Sequence, residues 1–386
     1  MVSVQSLIKM IRRFLISDQS LFHSPELFEF DYMPEQVLFR ENQLAELAFR
    51  IRPGMEGMSP GNAICRGPPG SGKTTSVKHL FSEIREATRR ILPIYLNCQT
   101  DQTKYAIYSR IFAMIAGHAP PRTGVSTTTL MDVIAKAVLD RNAVLLVCLD
   151  DVQYLIRHDT VNAVIYSLLR MHLDYPGCRA GVIMTTSEMQ LDFSRIFDPG
   201  VSSTLCADEI PFPPYTADEI REILSLRVRE GVMPGVISSD VLDQIVRKTE
   251  KTGDLRIGLD LLKRSILRAM REGRRSVLRE DILLAYGEFR LLHLAEMIQG
   301  LSEEERALLL LLIRTLTNTG GEALTSGEMY GYLIEEEEIS YPVFWDRLET
   351  LAEIGLIDLR IRQSKGRTDV ITPRYSREEV EGICRA

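Results

Sequence analysis

The chain has 386 residues, of which 45% are hydrophobic and 26% are charged, and at roughly 150 residues per domain this length suits two or three globular domains. The net charge of −7 excludes a uniformly basic nucleic-acid coat, although it still allows a local basic patch. The best apolar runs, residues 143–149 and 307–313, are seven residues each, against about 20 needed to span a bilayer.

The N-terminus and the cysteines point to the compartment. Lys9, Arg12 and Arg13 lie inside the apolar pattern of the N-terminus, whereas a signal peptide places its charges before the apolar stretch. The closest pair of the six cysteines, Cys178 and Cys206, is 28 residues apart, which excludes a Cys-x-x-Cys zinc pattern and predicts buried thiols in a reducing compartment. We therefore expect a cytoplasmic protein with no membrane partner.

Residues 61–210 alternate short apolar runs with segments of helical periodicity. The runs are Ala63–Arg66, Ile91–Asn97, 143–149 and 181–185. Strands that alternate with helical patterns in this way predict a parallel sheet with crossover helices. Residues 211–290 open with Pro-Phe-Pro-Pro and then show only helical patterns.

The pattern G-x-x-x-x-G-K-[ST] lies between the first apolar run and the first helical segment. It consists of Gly67, Pro68, Pro69, Gly70, Ser71, Gly72, Lys73 and Thr74, with Thr75 after it. The glycines let backbone N–H groups approach phosphate oxygens, and the N-terminus of the following helix adds about half a positive charge. Lys73 is placed to reach the β- and γ-phosphates, and Thr74 to offer its hydroxyl to Mg²⁺. The pattern predicts binding of ATP or ADP together with Mg²⁺.

Two carboxylates follow about 75 residues later, where the apolar strand VLLVCLDD ends. We assign Asp150 to Mg²⁺, directly or through water. Asp151 takes the position of the general base that polarises the attacking water. Two adjacent acids after a strand are a weak signal alone, but behind a phosphate loop they indicate nucleotide hydrolysis.

Further segments fall in a characteristic order along most of the chain. They are Tyr32-Met-Pro34 with Arg40-Glu41, GPPGSGKTT, NCQTDQTKYAIYSRIF (97–112), PRTGVST (121–127), LLVCLDDVQYL (145–155), DPGVSSTL (198–205), FPPYTADEIREILSLR (212–227), GDLRIGLDLL (253–262), LSEEERALLLLLI, GEMYGYL, FWDRLETLAEIGLIDL and SKGRTDVI. This ordered set resembles the archaeal replication initiators, the AAA+ ATPases related to the eukaryotic origin-recognition and cell-division-control loading proteins. The phosphate loop is generic among nucleotidases, whereas the ordered set that ends in a winged helix is specific.

The resemblance implies a fold and a function. The fold is an α/β AAA+ P-loop ATPase core with an N-terminal segment (1–210), an α-helical lid (211–295) and a C-terminal winged-helix DNA-binding domain (296–386). The function is ATP-dependent initiation of DNA replication, in which the protein binds duplex origin DNA, self-associates on it and helps load the replicative helicase. Such a protein would be nucleoid-associated.

The resemblance also assigns roles to residues beyond the phosphate loop. Tyr215 and Arg227 fall where the family contacts the nucleotide from the lid side. Arg256, in Gly-Asp-Leu-Arg, is the sensor arginine that would reach the γ-phosphate. On the sensor strand MTTSEM (184–189), Ser187 or Thr186 would orient the attacking water.

Three departures from the family pattern bear on hydrolysis. Asp151 stands where the family usually has Glu, so the base is one methylene shorter. Glu188 stands where an asparagine is usual. Gly200 stands where the family usually has a trans-acting arginine after Asp-Pro, and Arg195 is the candidate to take that role instead. Together these departures predict a slow ATPase or a nucleotide-held switch rather than a motor.

The first predicted DNA contact is a hairpin wing within residues 357–375, where two strand-like segments are joined by Ser-Lys-Gly-Arg. Its contact residues are Arg360, Arg362, Lys365, Gly366 and Arg367. The segment has a charge balance of +3, although residues 300–386 as a whole carry −7. The wing is therefore the part of the C-terminal region suited to DNA phosphates.

Two other places are predicted to touch DNA. The helix expected over residues 341–354 offers Arg347, although its apolar positions also suit a core helix. The family's insertion between the two nucleotide motifs would touch DNA near Arg122, Thr123 and Gly124.

Two further functions fit the same motifs. One is an ATP-gated winged-helix transcription regulator, and the other is a clamp-loader-like or signalling ATPase whose winged helix binds protein. The acidic balance of the C-terminal region keeps the second open. A basic cluster in the predicted lid, residues 263–275, fits either an exposed helix face or a phosphate contact.

Overall fold

The computed structural model describes residues 20–121, 124–318, 324–335, 338–363 and 367–384. The predicted DNA contacts Arg122, Thr123, Lys365 and Gly366 lie outside the described residues. The chain divides into two compact units, Met1–Ile282 and Leu283–Ala386.

The first unit opens with a 3₁₀ turn (Pro25–Phe28), helix α1 (Glu41–Ile51) and a second 3₁₀ turn (Arg52–Glu56). Strands then alternate with helices in the order β1 (Ala63–Arg66), α2 (Lys73–Ala87), β2 (Ile91–Asn97), α3 (Lys104–Ala116), α4 (Thr127–Asp140), β3 (Val144–Asp150), α5 (Gln153–Arg157), α6 (Val161–Leu169), α7 (Met171–Asp174), β4 (Ala180–Thr186), α8 (Phe193–Ile196), α9 (Pro199–Leu205) and β5 (Asp208–Pro211). The strands form one parallel sheet in the order β2-β3-β4-β1-β5. This confirms the predicted parallel sheet with crossover helices.

The sheet is covered on both faces, which explains why its central strands are continuously apolar. All seven residues of β3 are buried. Leu145 and Val147 join an apolar cluster with residues of α3, α4 and α6, whereas Val144 and Leu146 join a second cluster with residues of α1 and α2. The alternation of side chains along the strand therefore divides one apolar run between two cores.

The parallel direction of the strands fixes the position of the site. Carboxyl ends of parallel strands lie along one edge of the sheet, where α/β proteins bind ligands. Here β1 leads into the phosphate loop, β3 ends at Asp150 and β4 ends next to Ser187. Because β4 lies between β3 and β1, Thr185 of β4 sits between the two nucleotide motifs.

Three helices, α10 (Ala217–Gly231), α11 (Ser239–Thr252) and α12 (Leu255–Arg271), follow the sheet and confirm the predicted helical lid. Each begins at a side-chain cap. Thr216 and Glu219 form a capping box on α10, while Ser238 and Asp254 cap α11 and α12. The caps fix the points at which the lid helices start, and the Asp254 cap of α12 lies against Gly70 of the phosphate loop.

The second unit begins within helix α13 (Arg279–Gln299), at Leu283. It continues with α14 (Glu303–Asn318), β6 (Leu324–Thr325), α15 (Ser326–Ile334), α16 (Tyr341–Glu353), β7 (Ile357–Gln363), β8 (Arg367–Pro373) and α17 (Arg377–Cys384). Strands β6, β8 and β7 form an antiparallel sheet. The predicted hairpin and the predicted helix over 341–354 are both present, and Phe344, Leu348 and Leu351 of that helix are fully buried in the core.

Some boundaries differ from the sequence expectation. Strand β5 was not predicted, because Ile210 is its single buried residue and four residues carry too little pattern. Strand β6 is only two residues long and leaves no periodicity to detect. Helix α2 begins at Lys73, inside the predicted phosphate loop, because the end of that loop already forms the first turn of the helix.

Most of the cysteines are buried, as the sequence predicted. Cys65, Cys98, Cys148 and Cys178 are buried free thiols, and burial raises the pKa of Cys65 to about 12. Cys206, which is exposed, and Cys384, which is half-buried, depart from the expectation. Throughout the described ranges, no helix combines the length and apolar character that a membrane span requires.

Candidate nucleotide-binding site

A cleft of about 420 Å³ lies at the carboxyl edge of the sheet, within the size range of small-molecule sites. The sequence-predicted residues that line it are Pro69, Gly70, Ser71, Gly72, Lys73, Thr74, Thr75, Asp150, Asp151, Ser187, Tyr215, Arg227 and Arg256. Gly67 and Pro68 take part through their carbonyl groups, which hold Lys73. The structure thus brings the predicted nucleotide residues together around one cavity.

Backbone geometry explains two of the loop glycines. Gly70 and Gly72 have φ values of +70° and +88°, which side-chain-bearing residues rarely adopt. A Cβ atom at Gly70 would lie 1.9 Å from Oδ1 of Asp254, and one at Gly72 would lie 2.5 Å from the Tyr215 hydroxyl oxygen. The loop therefore packs against the lid helix α12 and the segment before α10 as closely as its backbone allows.

Lys73 is a buried cation held by the loop itself. The residue is only 5% exposed, and its Nζ donates to the carbonyl oxygens of Gly67 at 2.7 Å and Pro68 at 2.9 Å. Burial lowers the pKa of Lys73, while the carboxylates of Asp151 and Asp150 oppose that shift. Lys73 also opens helix α2, whose N-terminus attracts anions. A phosphate entering the loop would meet both the ammonium and the helix N-terminus.

Asp150 is a buried acceptor at the end of β3. Thr74 Oγ1 donates to it from the phosphate-loop helix, at 2.9 and 3.0 Å to its two oxygens. Two residues that sequence reasoning missed also donate to it at 2.6 Å: the Tyr95 hydroxyl from β2 and the Thr185 hydroxyl from β4. Hydroxyls on flanking strands leave no motif, since their role depends on strand order. Burial raises the pKa of Tyr95, and Asp150 raises it further.

Thr74 and Asp150 fit a magnesium ion. Mg²⁺ prefers hard oxygen ligands and is usually held by one or two protein groups together with phosphates and water. A hydroxyl and a carboxylate in mutual contact beside a phosphate loop supply such groups. No cluster of three or more His, Cys, Asp or Glu side chains suited to a metal occurs among the described residues. Thr74 and Asp150 therefore fit a magnesium ion whose other ligands are phosphate oxygens and water.

Asp151 is held by its backbone and by a neighbour. Its φ of +56° is left-handed, its N–H donates to Thr185 Oγ1 at 2.9 Å, and its Oδ1 accepts from Gln153 Nε2 at 3.2 Å. Burial raises the pKa of Asp151, and the nearby Asp150 carboxylate adds to the rise. A raised pKa makes this carboxylate a stronger proton acceptor than an exposed aspartate.

The sensor strand presents Ser187 to the cleft and turns Glu188 away from it. Glu188 accepts from Arg157 at 2.6 Å, and its N–H donates to Thr186 Oγ1 at 3.1 Å. Arg66 holds the same turn by donating to the Glu188 carbonyl oxygen at 3.1 Å. Of the residues considered for orienting water, Ser187 is the one that lines the cavity.

The lid side contributes two arginines with different partners. The Arg227 guanidinium stacks over the Tyr32 ring at 4.5 Å, which ties α10 to the N-terminal segment. Arg256 donates to the Asp254 carboxylate, with Nη2 2.6 Å from Oδ2 and Nε 3.0 Å from Oδ1. This contact raises the pKa of Arg256. The predicted sensor arginine thus already has an anionic partner, which a γ-phosphate would have to replace or share.

The predicted DNA contacts are distributed over both units. Gly124 is exposed on the loop before α4, and Arg347 is half-buried on α16. A backbone hydrogen bond and the Ser302 hydroxyl lower the pKa of Glu304, and the nearby Arg347 guanidinium adds to that shift. Arg360 and Arg362 lie on β7, and Arg367 opens β8 opposite Gln363. The cluster at 263–275 is largely paired with acids: Lys263 with Glu29, Arg264 with Asp260, and Arg274 with Asp281 and Glu272. These pairs favour the helix-face interpretation of that cluster.

Two protein families match the chain. The AAA domain family matches residues 56–192, which hold the phosphate loop and strands β1 to β4. The family described as the Cdc6 AAA+ ATPase-type lid domain matches residues 221–286, which hold most of α10 and all of α11 and α12. Both matches agree with the fold described above.

Curated relatives match nearly the whole chain. ORC1-type DNA replication protein 2 of Methanosarcina mazei is 37% identical over 95% of this chain and 96% of its own length. ORC1-type DNA replication protein 6 of Halobacterium salinarum is 36% identical over 90% of this chain and 91% of its own length.

Solved structures show the same fold. The Aeropyrum pernix ORC1 protein in complex with DNA has a TM-score of 0.71 and 26% identity, covering 95% of this chain and 97% of that one. The Aeropyrum pernix ORC2 protein in its ADPNP-ADP complexes has a TM-score of 0.72 at 22% identity, covering 95% of this chain and 99% of that one. These matches and the curated relatives confirm the resemblance seen in the sequence: the chain belongs to the family of ORC1-type DNA replication proteins.

Proposed function

We propose that this protein is an ATP-dependent replication initiator that binds duplex origin DNA, self-associates on it and helps load the replicative helicase. The observation that carries the proposal is the cleft in which the phosphate loop, the Asp150–Asp151 pair and the lid arginine Arg256 meet. It occurs in a chain whose ORC1-type relatives from Methanosarcina mazei and Halobacterium salinarum match 95% and 90% of its length. Its place of action would be the nucleoid.

The proposed division of labour follows three segments. Residues 1–210 would form the nucleotide-binding core with its N-terminal segment, 211–295 the lid, and 296–386 the winged helix. The elements of the second unit, with helix α16 before the β7–β8 hairpin, support a winged helix there. A related ORC1 structure is described as a complex with DNA, which supports DNA as a ligand of this protein.

The nucleotide would be held by both edges of the cleft. Backbone N–H groups of the loop and the Lys73 ammonium would bind the phosphates, while Tyr215 and Arg227 would contact the nucleotide from the lid side. Thr74 and Asp150 would hold Mg²⁺, which supplies positive charge for the phosphate oxygens. The hydrogen bonds of Tyr95 and Thr185 would keep the Asp150 carboxylate in place.

Hydrolysis would be slow. Asp151 would accept the proton of the attacking water, but its side chain is one methylene shorter than the usual glutamate. Ser187 would orient the water in place of an asparagine. A second copy on DNA would have to supply the trans-acting cation, for which the 87% exposed side chain of Arg195 is the candidate. These features support a switch that holds its nucleotide.

Replacing Lys73 by Ala tests the phosphate loop. We expect the affinity for ATP and ADP to fall about 100-fold, because charge-assisted hydrogen bonds contribute up to about 3 kcal/mol. Titration calorimetry measures the effect, and Lys136→Ala, an exposed lysine on α4, is the matched control. If Lys73→Ala binds nucleotide as tightly as the wild-type protein, residues 67–74 are not the phosphate-binding loop.

Replacing Asp151 by Asn tests the base. ATP affinity should stay within a few-fold of wild type, while single-turnover hydrolysis should slow by about 10²-fold or more, the usual contribution of general base catalysis. Asp140→Asn, at the exposed end of α4, is the control. An unchanged rate in Asp151→Asn contradicts the role, and rapid multi-turnover hydrolysis by the wild-type protein alone contradicts the switch.

Replacing Asp254 by Asn tests how Arg256 is held. Asparagine still caps α12 but loses the charge that pairs with Arg256. Because exposed ion pairs contribute about 0.2–1 kcal/mol, we expect the ratio of ATP affinity to ADP affinity to rise by up to about five-fold. The rise should vanish when Arg256 is also replaced by Gln. A fall in the ratio would mean that Asp254 aims Arg256 at the phosphate.

Replacing Arg362, Lys365 and Arg367 together by Ala tests the wing. The slope of log affinity for origin duplex against log salt should become shallower by about 0.9 for each lost phosphate contact, while ATP binding stays unchanged. Arg374→Ala is the control on the same hairpin, since Arg374 is paired with Asp358 at 2.6 Å. An unchanged slope in the triple variant would show that the hairpin does not contact DNA.

A further inference from the structure

Arg40 is a buried cation at the start of helix α1, behind the phosphate loop. The residue is only 2% exposed, and it is among the largest fully buried side chains of the molecule. Its guanidinium donates to three backbone carbonyl oxygens: Ser71 at 2.9 Å, Pro213 at 2.7 Å and Phe39 at 2.7 Å. In the sequence, Arg40 belongs to a segment that resembles the family, but the resemblance assigned it no role.

The contact with Ser71 sets the direction of a peptide group in the phosphate loop. The carbonyl of Ser71 points toward Arg40 Nε. Because the peptide bond is planar and trans, the N–H of Gly72 in the same peptide points the opposite way, away from Arg40. Backbone N–H groups are what a phosphate loop offers to its ligand. Arg40 therefore holds one donor of the loop in a defined direction.

The other contacts join the loop to the linker that leads into the lid. Pro213 lies in that linker, between β5 and α10. The Arg40 guanidinium also stacks on the Tyr215 ring at 3.8 Å, and the Tyr215 hydroxyl lies against Gly72. One planar cation thus contacts the phosphate loop on one side and the lid linker on the other.

An arginine is costly at such a place if it only fills space. Moving a cation out of water costs several kcal/mol, and apolar residues of similar volume often replace buried charges without loss of stability. Burial lowers the pKa of Arg40, which reflects that cost. What an apolar residue or a lysine does not offer is a rigid fork that donates in several directions while its flat face stacks on a ring.

We propose that Arg40 is a positioning residue for nucleotide binding, which fixes the Ser71–Gly72 peptide for phosphate and couples the phosphate loop to the lid linker. The proposal rests on the proposed function, since it assumes that the cleft binds ATP or ADP. It concerns the phosphate end of the ligand and the linker, and it predicts no direct contact between Arg40 and the nucleotide.

Arg40→Lys is the test variant, because lysine keeps the charge and loses the fork and the stacking face. We expect the affinity for ADP and ATP to fall about 10-fold or more, whereas the affinity for adenosine, which has no phosphate, stays within two-fold of wild type. Ligand-observed NMR at millimolar adenosine and calorimetry with ADP give the two values. Arg52→Lys, an exposed arginine 12 residues further on, is the matched control.

Hydrogen exchange of the peptide covering residues 212–216 tests the coupling. In the wild-type protein we expect ADP to slow exchange in this linker, and in Arg40→Lys we expect that protection to be largely lost even at saturating ADP. Circular dichroism and a urea midpoint show whether the variant is folded. If Arg40→Lys does not fold, Arg40→Gln is the second variant: it keeps a donor for a carbonyl oxygen, loses the charge and the rigid fork, and should weaken protection of the linker by ADP in the same direction.

The outcomes separate this inference from the proposed function. A wild-type protein that binds neither ADP nor ATP would overturn both. A wild-type protein that binds ADP, together with an Arg40→Lys variant that binds it equally well and keeps the linker protected, would overturn the inference alone. An equal loss of adenosine and ADP affinity would also overturn it, because a purely structural role weakens both ligands.

Discussion

The hydrogen bonds that converge on Asp150 join the parts of the nucleotide site. Asp150 ends β3, whereas the phosphate loop follows β1, and strand β4 lies between them. The gap is bridged by Thr185 from β4 and by Thr74 from the start of α2, both of which donate to the same carboxylate. These hydrogen bonds fix the distance between the predicted phosphate loop and the predicted acids, and the proposed chemistry depends on that distance.

A shared electrostatic pattern follows from that arrangement. Lys73, Arg40 and Arg256 lie in or beside a cleft that also contains Asp150 and Asp151. Each cation already has partners: loop carbonyls for Lys73, loop and linker carbonyls for Arg40, and Asp254 for Arg256. A bound triphosphate would replace the present partners of Lys73 and Arg256 with its own oxygens. The carbonyl partners of Arg40 would stay in place. The contrast suggests two roles, in which Lys73 and Arg256 respond to the ligand and Arg40 maintains the frame.

The parts of the fold predicted from sequence are those whose pattern is local. The apolar run of β3 and the glycine-rich loop predicted a parallel sheet and a phosphate site, because burial on both faces and the close approach of a backbone each demand particular residues. The roles of Tyr95, Thr185 and Arg40 could not be predicted from the sequence. They come from strand order and from contacts with residues as far as 173 positions away. Strand β5 escaped because its pairing with β1, rather than its own composition, makes it a strand.

The central proposal is that this protein is an ATP-dependent initiator that binds duplex origin DNA. Nuclease footprinting of the wild-type protein on origin-containing chromosomal DNA, with ATP, with ADP and without nucleotide, tests it most directly. The account predicts a discrete protected region at the origin whose extent or salt resistance depends on the nucleotide, and no such region on a control fragment of equal length and base composition. Uniform or absent protection under all three conditions, or discrete protection confined to promoters, would contradict it.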